Sequence, residues 1–191
     1  DQVVFKSDNS SGSWGGIAIS SDANTDNILF QHTIIQETGF EFDGGVIVNS
    51  GSPLFKNCLF KDNDNGISAD SGSTPIIEDC EFISNDEAGV AVYNNSKPLI
   101  DGMSADSNRW GVTVDQASFD MKNSLIIHSS SDGIDIEGGN NITITGSVFK
   151  DNDNAGIYIP NGSTTTITIL NSIFNNNEEG IAAYMESGSE I

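Results

Sequence analysis

The sequence predicts an all-β solenoid of about eight short coils, each made of three short strands. Three observations predict this fold: a glycine phrase that recurs along the chain, a second phrase with its own constant register, and runs of β-forming residues separated by Gly, Ser, Asn and Asp. No long stretch shows helical periodicity. We expect the 191 residues to form one domain, with coils over 14–184 and a tail over 185–191. Residues 1–13 are expected to be a strand or cap, or the continuation of a preceding coil.

The glycine phrase is a Gly followed by alternating apolar positions, which predicts a strand with one buried side. After a first gap of 29 residues (45 − 16), it recurs every 21 to 24 residues (66 − 45 and 180 − 156 are the extremes). Its eight copies begin at Gly16, Gly45, Gly66, Gly89, Gly111, Gly133, Gly156 and Gly180.

The second phrase places three inward residues per coil, separated by a step of three and then a step of two. These residues are Phe55, Cys58 and Phe60, then Ile77, Cys80 and Phe82, then Ile100, Met103 and Ala105, then Met121, Ser124 and Ile126, then Ile144, Ser147 and Phe149, and finally Ile169, Ser172 and Phe174. The step of three predicts a corner. The residue before each middle position tolerates a left-handed backbone, being Asn57, Asp79, Gly102, Asn123, Gly146 or Asn171.

With these two phrases the chain resembles the right-handed parallel β-helix superfamily, the pectin-lyase-like fold, from about Trp14 to Ala183. The resemblance implies a single right-handed parallel β-helix. It implies no one activity, because the superfamily includes polysaccharide lyases, hydrolases, adhesins, tailspikes and structural surface domains. The opening run from Ser13 to Ile17 is similar to the start of β-helical segments in large bacterial and archaeal surface proteins.

The net charge of −21, with only 7 Lys plus Arg, argues against nucleic acid as a partner, because phosphate contacts need clustered cations. No stretch is long and apolar enough for membrane insertion. Fold class and charge together favour an extracellular or cell-surface location.

The outer side of the glycine-phrase strands is where enzymes of the resembled superfamily place substrate. Its first outward column is predicted as Ala18, Ile47, Ser68, Ala91, Thr113, Asp135, Tyr158 and Ala182, and its second as Ser20, Asn49, Asp70, Tyr93, Asp115, Glu137, Pro160 and Tyr184. Three carboxylates on adjacent coils, Asp115, Asp135 and Glu137, are flanked by Tyr93 and Tyr158. This patch predicts a carbohydrate-binding site, since tyrosines stack on sugar rings.

The same patch suits acid/base glycoside hydrolysis by Asp115, Asp135 and Glu137, or a lyase reaction. Against this alternative, the resembled hydrolases also carry a His and an Arg-x-Lys element in the groove, and the calcium-dependent lyases need a basic residue. Neither pattern is present, and the single arginine is Arg109, in a turn beside Trp110. The sequence therefore favours binding without turnover.

Cys58 and Cys80 share an inward column one coil apart, and we expect two reduced, buried thiols rather than a disulfide. His32 is placed in the same column one coil earlier. A Cys/Cys/His metal site there would lack a fourth ligand, so a packing role for His32 is favoured. His128 has no partner visible in the sequence.

The turns before the glycine phrases form an acidic edge, which is either a calcium-binding surface or a solvated surface without bound ions. Calcium could bridge Asp62, Asp64, Asp86, Glu87, Asp151 and Asp153, or these side chains are simply solvated, which is the favoured interpretation. No cofactor is required by either. Within the same turns, Asn63, Asn85, Asn108, Asn152 and Asn176 are predicted to form a hydrogen-bonded amide ladder.

The long first gap contains an insertion from Gln36 to Gly44, whose Phe40 and Phe42 either bind a ligand or cover the first coil. The best functional prediction is an extracellular structural or adhesive module, either a segment of a surface protein or a subunit that stacks end to end. Its predicted partners are a polysaccharide or surface glycan, or further copies of itself. The alternative is a polysaccharide-processing enzyme.

Overall fold

The computed structural model describes residues 2–8, 14–20, 28–39, 43–163 and 165–184. These residues form strands β1 to β21 and no helix, coiled into a parallel β-solenoid of about seven turns. The fold is the predicted one, and the predicted number of eight coils is close. Among the described residues there is accordingly no helix that could span a membrane.

The first face of the solenoid carries the glycine phrases and is called here the glycine face. Its strands are β2 (Ile17–Ile19), β5 (Val46–Val48), β8 (Ile67–Ala69), β11 (Ala88–Tyr93), the first parts of β14 (Trp110–Lys122) and β16 (Ile134–Thr145), β18 (Ala155–Ile159) and β21 (Glu179–Ala183). All pair in parallel, and their register stacks the first outward column as predicted, from Ala18 to Ala182.

The second face follows the first without a break in two coils, where β14 and β16 run on from one face to the other. Its other strands are β3 (Leu29–Gln31), β6 (Leu54–Lys56), β9 (Ile76–Glu78), β12 (Leu99–Asp101) and β19 (Thr166–Leu170). In these two coils the strands of the first and second faces are continuous, and their pairing is irregular between Val114 and Phe119.

The third face is a sheet of 8 parallel strands. They are β1 (Val3–Phe5), β4 (Thr33–Gln36), β7 (Leu59–Lys61), β10 (Glu81–Ile83), β13 (Ser104–Asp106), β15 (Leu125–Ile127), β17 (Val148–Lys150) and β20 (Ile173–Asn175).

The corner between the second and third faces is made by residues in the left-handed region. All six predicted corner residues adopt it, with φ between 51° and 69°. His32 has φ 50° and occupies the same corner one coil before Asn57, because Phe30 pairs with Phe55. The placement of His32 in the inward column is therefore wrong: Thr33, buried at 4% exposure, stands there instead.

The core is a narrow stack of apolar columns from Ile19 to Ile157. Phenylalanines pack face to face between successive coils, with ring centroids 4.9 Å apart for Phe60 and Phe82 and again for Phe149 and Phe174. Cys58 and Cys80 are free and buried, as predicted.

The glycines of the glycine face are required by close approach of neighbouring coils. A Cβ on Gly66 would lie 2.5 Å from the carbonyl oxygen of Gly89, and one on Gly89 would lie 2.8 Å from that of Gly111. Contacts of this length with backbone atoms do not occur for real Cβ atoms. The glycine column thus sets how closely the coils stack at this corner.

A buried amide ladder runs through the turns before the glycine face. The side-chain amide of Asn63 donates to Oδ1 of Asn85 (3.1 Å), and that of Asn85 donates to Oδ1 of Asn108 (2.9 Å). A second segment joins Asn152 to Asn177 (2.9 Å). The prediction of Asn176 was wrong by one residue, because Asn176 adopts φ 56° and its amide bonds Asp151 on the surface.

Candidate functional site

The outer side of the glycine face carries a cavity of about 300 Å³, called here the acidic groove. Its lining residues are Asp43, Asp64, Asn65, Glu87, Tyr93, Trp110, Thr113, Asp115 and Glu137. Five of the nine are carboxylates and two are aromatic. No lysine, arginine or histidine is among these lining residues.

The groove crosses several coils because the lining residues stand at matching positions on stacked strands. Tyr93 at the end of β11 pairs with Asp115 in β14, as predicted. Between Val114 and Asp115 the register shifts, so that Asp115 pairs with Gly138 and not with Glu137. The second outward column is therefore interrupted by a bulge. Tyr93, Asp115 and Glu137 still line one cavity.

The electrostatic field of the groove is strongly negative. Burial, followed by the charges of Asp43, Asp64, Glu137 and Glu87, raises the pKa of Tyr93 to about 12. The pKa of Asp64 is also raised, first by burial and then by its acidic neighbours. Because like charges crowd this face, a group that carries positive charge or donates hydrogen bonds is favoured there.

Asp135 is the most unusual side chain of the predicted patch. It lies on the outer side of β16, beside Thr113 of one neighbouring coil and Tyr158 of the other, and is only 7% exposed. Its Oδ1 meets no hydrogen-bond donor among the described residues. Burial first, then the charges of Glu137 and Asp132, raise its pKa to about 6, which Arg109 partly opposes.

A second cavity of about 330 Å³, called here the tyrosine pocket, lies beyond Asp135. It is lined by Asp132, Asn154, Ala155, Tyr158, Glu178, Glu179 and Tyr184, with the two tyrosine rings 5.8 Å apart. The predicted patch is therefore divided: Tyr93, Asp115 and Glu137 line the acidic groove, Tyr158 lines the tyrosine pocket, and Asp135 stands between their coils.

Trp110 is a site residue that the sequence reasoning named only as a neighbour of Arg109. The Arg109 guanidinium lies 4.1 Å from the centre of the Trp110 ring, and its Nη1 bonds both carboxylate oxygens of Glu87 at 3.0 Å. The repeat does distinguish Trp110 from its equivalents in other coils. Trp110 pairs with Ala88, so a large aromatic side chain stands where the preceding coil has a small one, just before the glycine.

The acidic turns are more fully paired than the sequence suggested. Asp62 pairs with Lys61 (3.1 Å) and Asp151 with Lys150 (2.6 Å), while Asp64 and Glu87 line the acidic groove. In the described ranges no three His, Cys, Asp or Glu side chains are grouped to hold a metal ion. Calcium at Asp62, Asp64, Asp86, Glu87, Asp151 and Asp153 stays a prediction.

Two further expectations concern His128 and the insertion from Gln36 to Gly44. His128 has a partner, because its Nδ1 lies 2.9 Å from Oδ1 of Asp106. Phe40 and Phe42 of the insertion lie outside the described residues, but Asp43, which directly follows them, lines the acidic groove.

Replacing Asp135 by Asn should stabilise the fold at neutral and alkaline pH. The folded-state pKa of about 6 exceeds the ordinary value of 3.8, so the protonated form is favoured in the folded protein. Its contribution to stability is present at low pH and lost as pH rises from about 4 to 6. We expect Asp135→Asn to gain about 1–3 kcal/mol near pH 8 and almost nothing near pH 4.

Urea unfolding of both proteins at the two pH values measures this difference. Asp120→Asn, which removes an exposed partner of Lys97, serves as the control and should change stability by less than about 0.5 kcal/mol. A loss of stability near pH 8 in Asp135→Asn would contradict the assignment of a buried, unpartnered carboxylate.

Comparison with known proteins supports the fold. The family described as the right handed beta helix region matches residues 1–121 and 44–191, which together cover the chain. No curated protein sequence matches the chain significantly.

Among solved structures, the chain is similar to the crystal structure of the periplasmic alginate epimerase AlgG. The two share 13% identity and superpose with a TM-score of 0.66, over 76% of this chain and 39% of that one. The chain thus spans about two fifths of that protein's length. At this identity the likeness shows a shared fold.

Proposed function

The chain belongs to the right-handed β-helix family, and on that premise we propose that it is a non-catalytic module that binds a carbohydrate chain in the acidic groove. The observation that carries the proposal is the pairing of two aromatic side chains, Tyr93 and Trp110, with five carboxylates in one open cavity. Aromatic rings pack on the apolar faces of sugars, and carboxylates accept hydrogen bonds from sugar hydroxyl groups.

The length of the outer face suits a linear polymer. Tyr93 and Tyr158 are three coils apart, which corresponds to about 14 Å along the solenoid axis. A sugar chain that lies along the axis would contact the acidic groove, pass over Asp135 and reach the tyrosine pocket. The proposed setting is outside the cytoplasm, at the cell surface or secreted. The acidic surface and the periplasmic location of the similar protein support it.

Tyr93→Ala is expected to weaken glycan binding about tenfold, because a ring packed on a sugar contributes on the order of 1.4 kcal/mol. The wild-type protein would first be screened against neutral, amine-bearing and uronate oligosaccharides, and the dissociation constant of the best ligand measured by calorimetry. Leu99→Ala, at an exposed position on the second face, is the control and should bind like the wild type. If Tyr93→Ala and Trp110→Ala both bind like the wild type, the acidic groove is not the site.

Asp135 supports a second candidate function, a polysaccharide-processing enzyme. A buried carboxyl group with a pKa near 6 and a free oxygen has the properties of a proton-transfer group, and Asp115 and Glu137 stand on the same face. Release of reducing ends or unsaturated products by the wild type, lost in Asp135→Asn, would establish it. A wild type inactive on the oligosaccharides that it binds would end it.

A further inference from the structure

We propose that the ligand of the acidic groove is an amine-bearing sugar chain, whose protonated amino groups lie against the carboxylates of the groove. The inference rests on the proposed function and specifies its substrate class. Asp43, Asp64, Glu87, Asp115 and Glu137 all line one cavity, and no cationic side chain lines it with them. A ligand that brings positive charge relieves the repulsion among these carboxylates.

The nearby arginine does not neutralise the groove as a whole. Both contacts of its Nη1 go to the Glu87 carboxylate, and its guanidinium is stacked on Trp110. Four of the five carboxylates therefore face the cavity without a cationic partner among the described residues. An oligouronate would add negative charges to this field, whereas an ammonium group would be attracted by it.

Asp135 provides an independent observation that points to a hydrogen-bond donor. Asp135 lies on the same outer face beside Thr113, which lines the groove, but Asp135 itself is not a lining residue, and it is only 7% exposed. Its Oδ1 has no donor from the described residues. A buried acceptor without a donor costs about 1–3 kcal/mol, so a ligand group that reached Oδ1 with an N–H or O–H donor would recover that energy.

The two aromatic side chains favour a sugar over a simple polyamine. Tyr93 and Trp110 line the same cavity as the carboxylates, and the Trp110 ring already carries a cation on one face. Flat, half-buried rings beside acidic groups match a ligand with both an apolar ring face and a positive charge. An amino sugar combines the two within each unit.

Calorimetry with three oligosaccharides of equal length tests the proposal: a β-1,4-linked glucosamine oligomer, its fully N-acetylated counterpart, and an oligouronate with and without calcium. The glucosamine oligomer, at a pH at which its amines are protonated, is expected to bind at least tenfold more tightly than the others. In the double variant Asp115→Asn/Glu137→Gln its affinity should fall about tenfold, because two charges facing the ligand are removed.

The matched control is Asp101→Asn/Asp120→Asn, which removes the same number of negative charges from carboxylates paired with Lys122 and Lys97 away from the groove. It should weaken binding less than twofold. An equal loss in both double variants would mean that the oligomer responds only to the overall charge of −21, and would overturn the proposal.

The remaining outcomes distinguish a wrong ligand class from a groove that binds no carbohydrate. Tighter binding of the N-acetylated oligomer or the oligouronate, lost in Tyr93→Ala, would overturn the amine proposal and leave carbohydrate binding standing. Failure of all three to bind would count against both. Circular dichroism and the thermal midpoint establish that each variant is folded, and Glu137→Gln alone replaces the double variant if that one unfolds.

Discussion

Asn85→Asp is expected to destabilise the solenoid by about 3–5 kcal/mol, the largest effect of any single substitution proposed here. The Asn85 amide donates to the carbonyl oxygen of Phe60 (3.3 Å) and to Oδ1 of Asn108 (2.9 Å). Aspartate would put an oxygen against both acceptors, at a position only 2% exposed. The substitution therefore replaces two hydrogen bonds by two repulsive contacts and buries a charge.

Equilibrium unfolding in urea at neutral pH measures this loss, and lowering the pH should restore part of it by protonating the new carboxyl group. Asn154→Asp is the matched control, because the Asn154 amide bonds Ser131 at the surface. It should cost less than about 1 kcal/mol. A loss below about 1 kcal/mol in Asn85→Asp would show that the amide ladder contributes little to stability.

Gly66→Ala should destabilise the fold by about 2–4 kcal/mol, although alanine ordinarily stabilises a backbone of this conformation by reducing the entropy of the unfolded chain. The added Cβ would lie 2.5 Å from both the carbonyl oxygen of Gly89 and Cδ1 of Phe82. Neither atom can move freely, since one is backbone in the next coil and the other belongs to a fully buried ring.

Gly72→Ala separates this steric effect from the conformational cost of losing a glycine. Gly72 has φ 76°, and a Cβ there would meet nothing within 4 Å, so about 1 kcal/mol is expected from backbone strain alone. The thermal midpoints of the two variants provide the comparison. If Gly66→Ala is no less stable than Gly72→Ala, the close stacking of coils at the glycine column is not a tight constraint.

The fold could be predicted from the sequence because each coil repeats the same local requirements. The columns through Cys58 and Cys80, and the left-handed corners at Asn57 and Asp79, are fixed by periodicity and by residue type alone. The wrong placement of His32 shows where prediction from periodicity fails. In the irregular first coil the repeat is too weak to fix register, and only the pairing of β3 with β6 places Thr33 inward.

The candidate site was predicted in part. Alternation along strands placed Tyr93, Asp115 and Glu137 on one outer face, and these three line one cavity. The register shifts that begin between Val114 and Asp115, and the contributions of Asp43 and Asp64 from turns, could not be predicted, since turn side chains have no fixed direction in a period-two pattern. Burial of Asp135 likewise depends on neighbours from other coils.

The interruption of the outward column at Asp115 has a consequence for how such a protein can change over generations. The inward side chains of every coil stack in the same columns at the same spacing. Insertion or loss of one whole coil therefore preserves the packing of the core and changes the length of the outer face. Such an event would lengthen or shorten the binding surface by a single step of about 4.8 Å. Between Val114 and Phe119 the facing strand has one residue more (142 − 136 against 119 − 114), and regular pairing resumes from Phe119 onward. Diversity of ligands can therefore arise on this surface while the interior stays nearly constant.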